Sequence, residues 1–310
     1  MACEEPVTDR LYAAATAVAA SGANAYQAWI DGVSELCFGP GTHESPWVSD
    51  RGIHWEGTGD GPPVLLITGL GLSGGAWWRT VPVLAKSLRV ITFDSRGVGR
   101  SSSPSYSFTT EAMAEDAVSV LDAAGIERAH MYGISLGGMV AQQLALRHPD
   151  RVRSLVLGAT HPGGPRVAAP EDRVMEFFRR RSTLPQDEAA WASVPYNYGP
   201  DCRRRHAERI AEDIEQRLTH PFSGGAYRAQ LCAAQLHNAQ QGLRRIEVPT
   251  LIVHGRHDRV IPVANAHLLA DGIPHARLRI LERSGHMYPT EQPDIDEEIA
   301  AFLAEVEEPT

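Results

Sequence analysis

Apolar runs of strand length recur along the chain at 64–68, 90–93, 130–134, 154–157, 250–254 and 277–281, each bounded by turn residues. Continuous runs, as opposed to alternating ones, are the pattern of strands buried on both faces of a parallel sheet. Helical spacing fills the intervals. One segment begins near Thr110, puts Met113, Ala117, Val120, Leu121 and Ala124 on one face, and stops at Gly125. Another opens at Pro293, a favoured first helical residue, and carries Ile295, Ile299, Phe302, Leu303 and Val306. Such alternation predicts a doubly wound, mostly parallel α/β sheet. Short alternating segments over 47–57 predict a β-hairpin feeding that sheet.

The alternation lapses over 163–242, where only helical patterns occur: Val174/Phe177/Phe178, Ile210/Ile214/Leu218 and Tyr227/Leu231/Ala234. This stretch reads as a helical insertion between two strands, covering one edge of the sheet and placed to act as a lid, because open α/β sheets bind ligands beyond the carboxyl ends of their strands. The expected organisation is a helical extension over 1–45, sheet domain over 46–162 and 243–310, and a helical cap over 163–242.

Composition narrows the class. The 310 residues are 43% hydrophobic and 22% charged, with 29 basic against 38 acidic side chains and a net charge of −9. That balance argues against nucleic acid as a partner, which needs a basic face. Glu4, Glu5 and Asp9 precede an Ala-rich stretch too short to span a bilayer, the reverse of a signal-peptide start. Cys3, Cys37, Cys202 and Cys232 lie far apart and read as reduced thiols. The expectation is a cytoplasmic protein with no membrane partner.

Two motifs compete for the chemistry. Gly69-Leu70-Gly71-Leu72-Ser73-Gly74 follows a strand and matches the dinucleotide fingerprint, with Asp94 about 20 residues on as a ribose ligand. Against it, Trp77, Trp78 and Pro82 stand where the pyrophosphate-facing helix would pack. The second motif, Gly133-Ile134-Ser135-Leu136-Gly137, closes one strand and opens a helix carrying Leu136, Met139, Val140 and Leu144. G-x-S-x-G between strand and helix is a nucleophile elbow. A tight turn projects the serine hydroxyl, and the helix start offers free N–H groups to an oxyanion. A serine that merely caps a helix is the bland alternative. Its partners decide against that: Asp258 follows the strand at 250–254, and His286 follows the strand at 277–281. Alone, either is an ordinary loop residue. In the order Ser, Asp, His, all at the carboxyl ends of strands, they compose a nucleophile, base and orienting acid.

With these motifs the chain resembles the α/β-hydrolase superfamily from about Trp47 onward, apart from the insertion. The likeness extends to Asp94-Ser95-Arg96-Gly97-Val98-Gly99-Arg100-Ser101, which makes Asp94 a turn organiser. It implies an oxyanion hole of backbone N–H groups from Leu70 and Leu136, with Thr68 replacing the family's usual histidine. It implies a serine hydrolase acting on an ester, lactone or thioester of a small molecule, without a cofactor or metal, similar to carboxylesterases and enol-lactonases. Meta-cleavage C–C hydrolases tend to carry Trp where this chain has Met287. A non-hydrolytic ligand-binding module on the same fold is the alternative of another class.

Candidate substrate-facing residues are Trp77, His161 and Met287, together with Trp191, Tyr196 and Tyr198 of the insertion. His161 also reads as a surface loop histidine. The runs Arg179–Arg181 and Arg203–Arg205 could hold an anionic substrate, but such runs are usually solvated helix faces.

Overall fold

The computed structural model describes residues 52–102, 107–219 and 222–307. The expected extension over 1–45, with Cys3 and Cys37, lies outside the described residues. The strands are β1 (Trp55–Thr58), β2 (Pro63–Ile67), β3 (Arg89–Phe93), β4 (Ala129–Ile134), β5 (Val152–Gly158), β6 (Thr250–Gly255) and β7 (Arg277–Leu281). The helices between β2 and β5 are α1 (Val81–Leu84), α2 (Thr110–Ala123) and α3 (Leu136–Arg147). Between β5 and β6 run α4 (Asp172–Arg181), α5 (Gln186–Ala192), α6 (Val194–Asn197), α7 (Pro200–Arg205), α8 (Ala207–Leu218) and α9 (Gly224–Leu236). After β6 come α10 (Ala264–Gly272), α11 (Tyr288–Glu291) and α12 (Ile295–Glu307).

The sheet order is β1-β3-β2-β4-β5-β6-β7, and every neighbouring pair is parallel except β1 with β3. Trp55–Thr58 therefore pairs with a strand more than thirty residues later in the chain, and not with its own neighbour as a hairpin would. The rest of the expected hairpin, 47–51, falls outside the described residues.

Burial on both faces explains the continuous apolar runs of β2 to β6, whereas the edge strand β7, expected to be a buried run, alternates exposed Arg277 and Arg279 with half-buried Leu278 and Ile280. Leu65, Ile67, Met131 and Leu157 point into a layer with α2, α3 and α10, while Val64, Leu66, Tyr132 and Val156 point into one with α1 and α12. Each fully buried Leu or Ile contributes about 1.5–3 kcal/mol relative to exposure. Helix α2 starts where expected because the Thr109 side chain accepts the Ala112 N–H. Helix α12 starts at Ile295, two residues after Pro293, with Asp296, Glu297 and Glu298 in its first turn, where the helix dipole favours acids.

The helical insertion over 163–242 joins two strands of the sheet. It leaves from β5 and returns at β6, which are adjacent inside the sheet, and its side chains help to wall a cavity at the carboxyl ends of the strands. Among the described residues no helix is long and apolar enough to cross a membrane.

Candidate functional site

Ser135 is the single residue between β4 and α3, and it sits at φ 58° and ψ −120°. A non-glycine residue held in such a sparsely populated region costs on the order of 1–3 kcal/mol, so its surroundings must enforce it. They do. Ser135 N–H donates to Gly158 O at 2.9 Å, and its carbonyl accepts Thr160 Oγ1 at 2.7 Å. The next turn of α3 passes so close to β2 that a Cβ on Gly137 would stand 2.0 Å from Ile67 O. That approach accounts for the second glycine of the motif.

The glycine loop after β2 is braced separately. Thr68 Oγ1 donates to Leu72 O at 2.9 Å, Leu72 N–H donates to Gly69 O at 3.2 Å, and Gly71 N–H donates to Gln230 Oε1 at 2.8 Å. The N–H groups of Leu70 and Leu136 make no hydrogen bond among the described residues, which leaves both free for a ligand. Buried Gln230, on α9, also donates to Arg96 O at 3.2 Å and so pins the loop from the insertion side. No sequence signal marked it.

The dinucleotide alternative has no room. Gly71 is packed against the Phe222 and Tyr227 rings, so that a Cβ there would meet them at 3.2–3.3 Å. Asp94 is consumed by the chain, accepting Gly74 N–H at 2.9 Å and Arg100 N–H at 2.9 Å. Burial opposes its ionisation, but these N–H groups and the Arg100 guanidinium outweigh that and lower its pKa.

At the far side, Asp258 is wholly buried in the loop after β6. Its Oδ1 accepts the N–H groups of Val260 and Ile261 at 2.9 and 2.8 Å. Its Oδ2 accepts His286 Nδ1–H at 2.7 Å and lies 3.2 Å from His254 Nε2. Burial alone would raise the Asp258 pKa, yet the two imidazoles hold it down to about 2. Buried His254 is the last residue but one of β6. Its Nε2–H donates to Ile261 O at 2.8 Å, beside the same carboxylate oxygen that His286 engages. Ser135 and His286 line one cavity of about 400 Å³, although no hydrogen bond joins them among the described residues. Such contacts are often open without substrate.

Glu291 ties this loop to the insertion. Its two oxygens accept Gly285 N–H at 2.8 Å and Gly199 N–H at 2.9 Å. Burial pushes its pKa up to about 7 against the pull of those two donors.

The remaining candidates divide. Met287 and His161 line the cavity. His161 Nδ1 accepts Gly163 N–H at 3.0 Å, and burial takes its pKa down to about 4, so the ring is neutral at pH 7. Trp77 packs on Tyr132 with ring centroids 4.8 Å apart and lines a side hollow of about 50 Å³. The three insertion aromatics are not in the cavity wall. Trp191 is 53% exposed. Tyr196 packs in a tilted pair on Phe177 with centroids 5.0 Å apart, and Tyr198 is buried within the insertion with its hydroxyl on Asp213 at 3.0 Å. Phe178, Met175 and Leu231 take the place expected of them. Arg203–Arg205 are exposed as expected, whereas Arg181 is buried in the cavity wall.

An antiparallel-edged parallel sheet with a serine elbow and an acid–histidine pair on later strand ends defines the α/β-hydrolase class. The chain belongs to the α/β-hydrolase fold family, whose profile matches residues 62–293. A protein of Azorhizobium caulinodans, provisionally named carbamate hydrolase RutD, is 33% identical over 264 residues, covering 84% of this chain and 97% of the relative. The 2-hydroxymuconate semialdehyde hydrolase of a Pseudomonas strain is 33% identical over 246 residues, covering 74% and 82%. Among solved structures, the enol-lactonase from Burkholderia xenovorans is similar at 27% identity and a TM-score of 0.72, covering 81% of this chain and 96% of that one. The chain is a hydrolase of this family.

Proposed function

We propose that the protein is a serine hydrolase that cleaves an ester, lactone or thioester of a small organic substrate through an acyl-enzyme. His286 takes the Ser135 proton as Oγ attacks the carbonyl, and Asp258 holds the imidazole by its Nδ1–H. The free N–H groups of Leu70 and Leu136 stabilise the oxyanion. His286 then protonates the leaving alcohol or thiol, and water repeats the sequence on the acyl-enzyme. The observation that carries this reading is Ser135 at positive φ in the wall of a cavity it shares with His286, whose Nδ1 lies 2.7 Å from the buried Asp258 carboxylate.

A fluorophosphonate probe should label the protein stoichiometrically, and the label should map to Ser135. Ser135→Ala should remove the label and lower kcat on 4-nitrophenyl esters by roughly 10⁶-fold. Labelling elsewhere, or more than about a tenth of wild-type turnover in Ser135→Ala, would sink the assignment, given the size of that expected loss. Cleavage of a carbon–carbon bond is the second reading, favoured by the similarity to the 2-hydroxymuconate semialdehyde hydrolase. It predicts the same labelling but no burst with esters.

A further inference from the structure

Arg181 ends α4, is only 8% exposed, and belongs to the wall of the cavity that holds Ser135 and His286. Its Nε is buried without a hydrogen-bond partner. Among the described residues no carboxylate lies within ion-pairing distance of it. Its protein neighbours are aromatic: the guanidinium carbon stands 5.3 Å from the Tyr227 ring centroid and 5.9 Å from that of Phe222. Those two rings stack at 5.2 Å and pack on Gly71, next to Leu70 of the loop with the free N–H. The hydroxyl of buried Tyr227 makes no geometrically complete hydrogen bond, and the Arg181 guanidinium is the charge beside it.

A guanidinium out of water without a counter-charge is costly, and ring faces return only a small part of that cost. The carbonyls at the end of α4 offer a partial charge and no more. The other charges in the wall do not answer it. Asp172 opens the same helix, about 13 Å away at 1.5 Å per residue, and is exposed. Arg217 is already engaged, with Nη2 donating to Tyr198 Oη at 3.1 Å, and that hydroxyl in turn bonds to Asp213. Arg181 is therefore a buried cation in the cavity wall with no carboxylate partner among the described residues, and its planar guanidinium suits a carboxylate.

We propose that Arg181 is a specificity-determining residue that binds a carboxylate of the substrate, away from the scissile carbonyl and on the glycine-loop side of the cavity. This deepens the serine-hydrolase reading and rests on it.

Two substrate series test it. The first pairs mono-4-nitrophenyl esters of succinate, glutarate and adipate with analogues in which isopropyl replaces the free carboxylate. The second pairs acetate esters of 3- and 4-hydroxybenzoate with cresyl acetates, which puts the charge on the alcohol side. In at least one series the wild type should prefer the anionic partner. That preference in kcat/KM should fall about 100-fold in Arg181→Met, as for loss of a charge-assisted pair, and return in part in Arg181→Lys. A wild type that prefers the neutral partner in both series overturns the proposal. So does a preference that Arg181→Met leaves within about twofold. If Arg181→Met does not fold, judged by its thermal midpoint, Arg181→Gln replaces it. Calorimetry with adipate separates this idea from the catalytic one. Should esters not be turned over at all, adipate binding lost in the Arg181 variant still supports the subsite, and absent or equal binding overturns it.

Discussion

The sheet domain and the helical insertion meet at one cavity but place their residues by different means. In the sheet domain, backbone geometry does the placing. Ser135 is set by the approach of Gly137 to Ile67, and Asp258 by two backbone N–H groups. In the insertion, the wall is built from the loop over 163–170 and from side chains on amphipathic helices, and which of the latter face inward depends on helix rotation. The difference separates chemistry from selection. The sheet tolerates little change around Ser135, while the insertion can change its wall without touching the elbow.

The sharpest way to break this comparison is at Asp258. On the proposed mechanism Asp258→Asn leaves His286 without its anionic anchor, and kcat should fall about 10⁴-fold at pH 7–8 in steady-state assays. A loss under tenfold would mean that the carboxylate does not orient the base. Gly137→Ala comes next. A methyl group 2.0 Å from Ile67 O forces α3 off β2, and urea unfolding should show a loss of at least about 3 kcal/mol. Near-wild-type stability would show that backbone approach does not set the elbow.

Glu291 bridges the two regions and should make their union pH-dependent. Its folded pKa of about 7 lies above the ordinary 4.5, so the folded state binds its proton more tightly. The stabilisation is complete below the unfolded value and is lost as pH rises through about 7. Urea midpoints should therefore drop between pH 5 and pH 8, equivalent to about 1–3 kcal/mol, and Glu291→Gln should flatten that slope. A slope unchanged in Glu291→Gln would assign it to other groups.

Smaller effects sharpen the insertion side. Phe178→Ala opens the wall and should shift the ratio of kcat/KM between long and short acyl esters by about tenfold. Trp191→Ala should leave that profile unchanged and stability within about 0.5 kcal/mol, as for an exposed side chain. A changed profile for Trp191→Ala would reverse the division between the two regions.

The same division governs what the sequence disclosed. Ser135, Asp258 and His286 were legible because strand ends are marked by apolar runs and turn residues, and a strand end fixes where a loop residue can reach. The insertion offered no such fixed point. Trp191 falls on the outer face of α5, and Tyr198 spends its hydroxyl on Asp213 inside the insertion. Arg179–Arg181 read as one solvated run, yet successive residues on a helix point about 100° apart, so Arg181 turns inward and Arg179 is half-buried while Arg180 stays exposed. Gln230 and Glu291 were illegible for another reason. Each accepts a backbone N–H from a segment distant in the chain, and no residue pattern encodes that partnership.

The two oxygens of Glu291 hold amides that are 86 positions apart, one opening α7 and one directly before His286. Neither amide can exchange its proton with solvent by a fluctuation of its own segment unless that carboxyl lets go. Gly199 and Gly285 should therefore exchange with deuterium at matched rates, and both should quicken together in Glu291→Ala. The insertion and the histidine loop would then open as one cooperative unit of unfolding, although the chain between them passes through β6 and the edge strand β7.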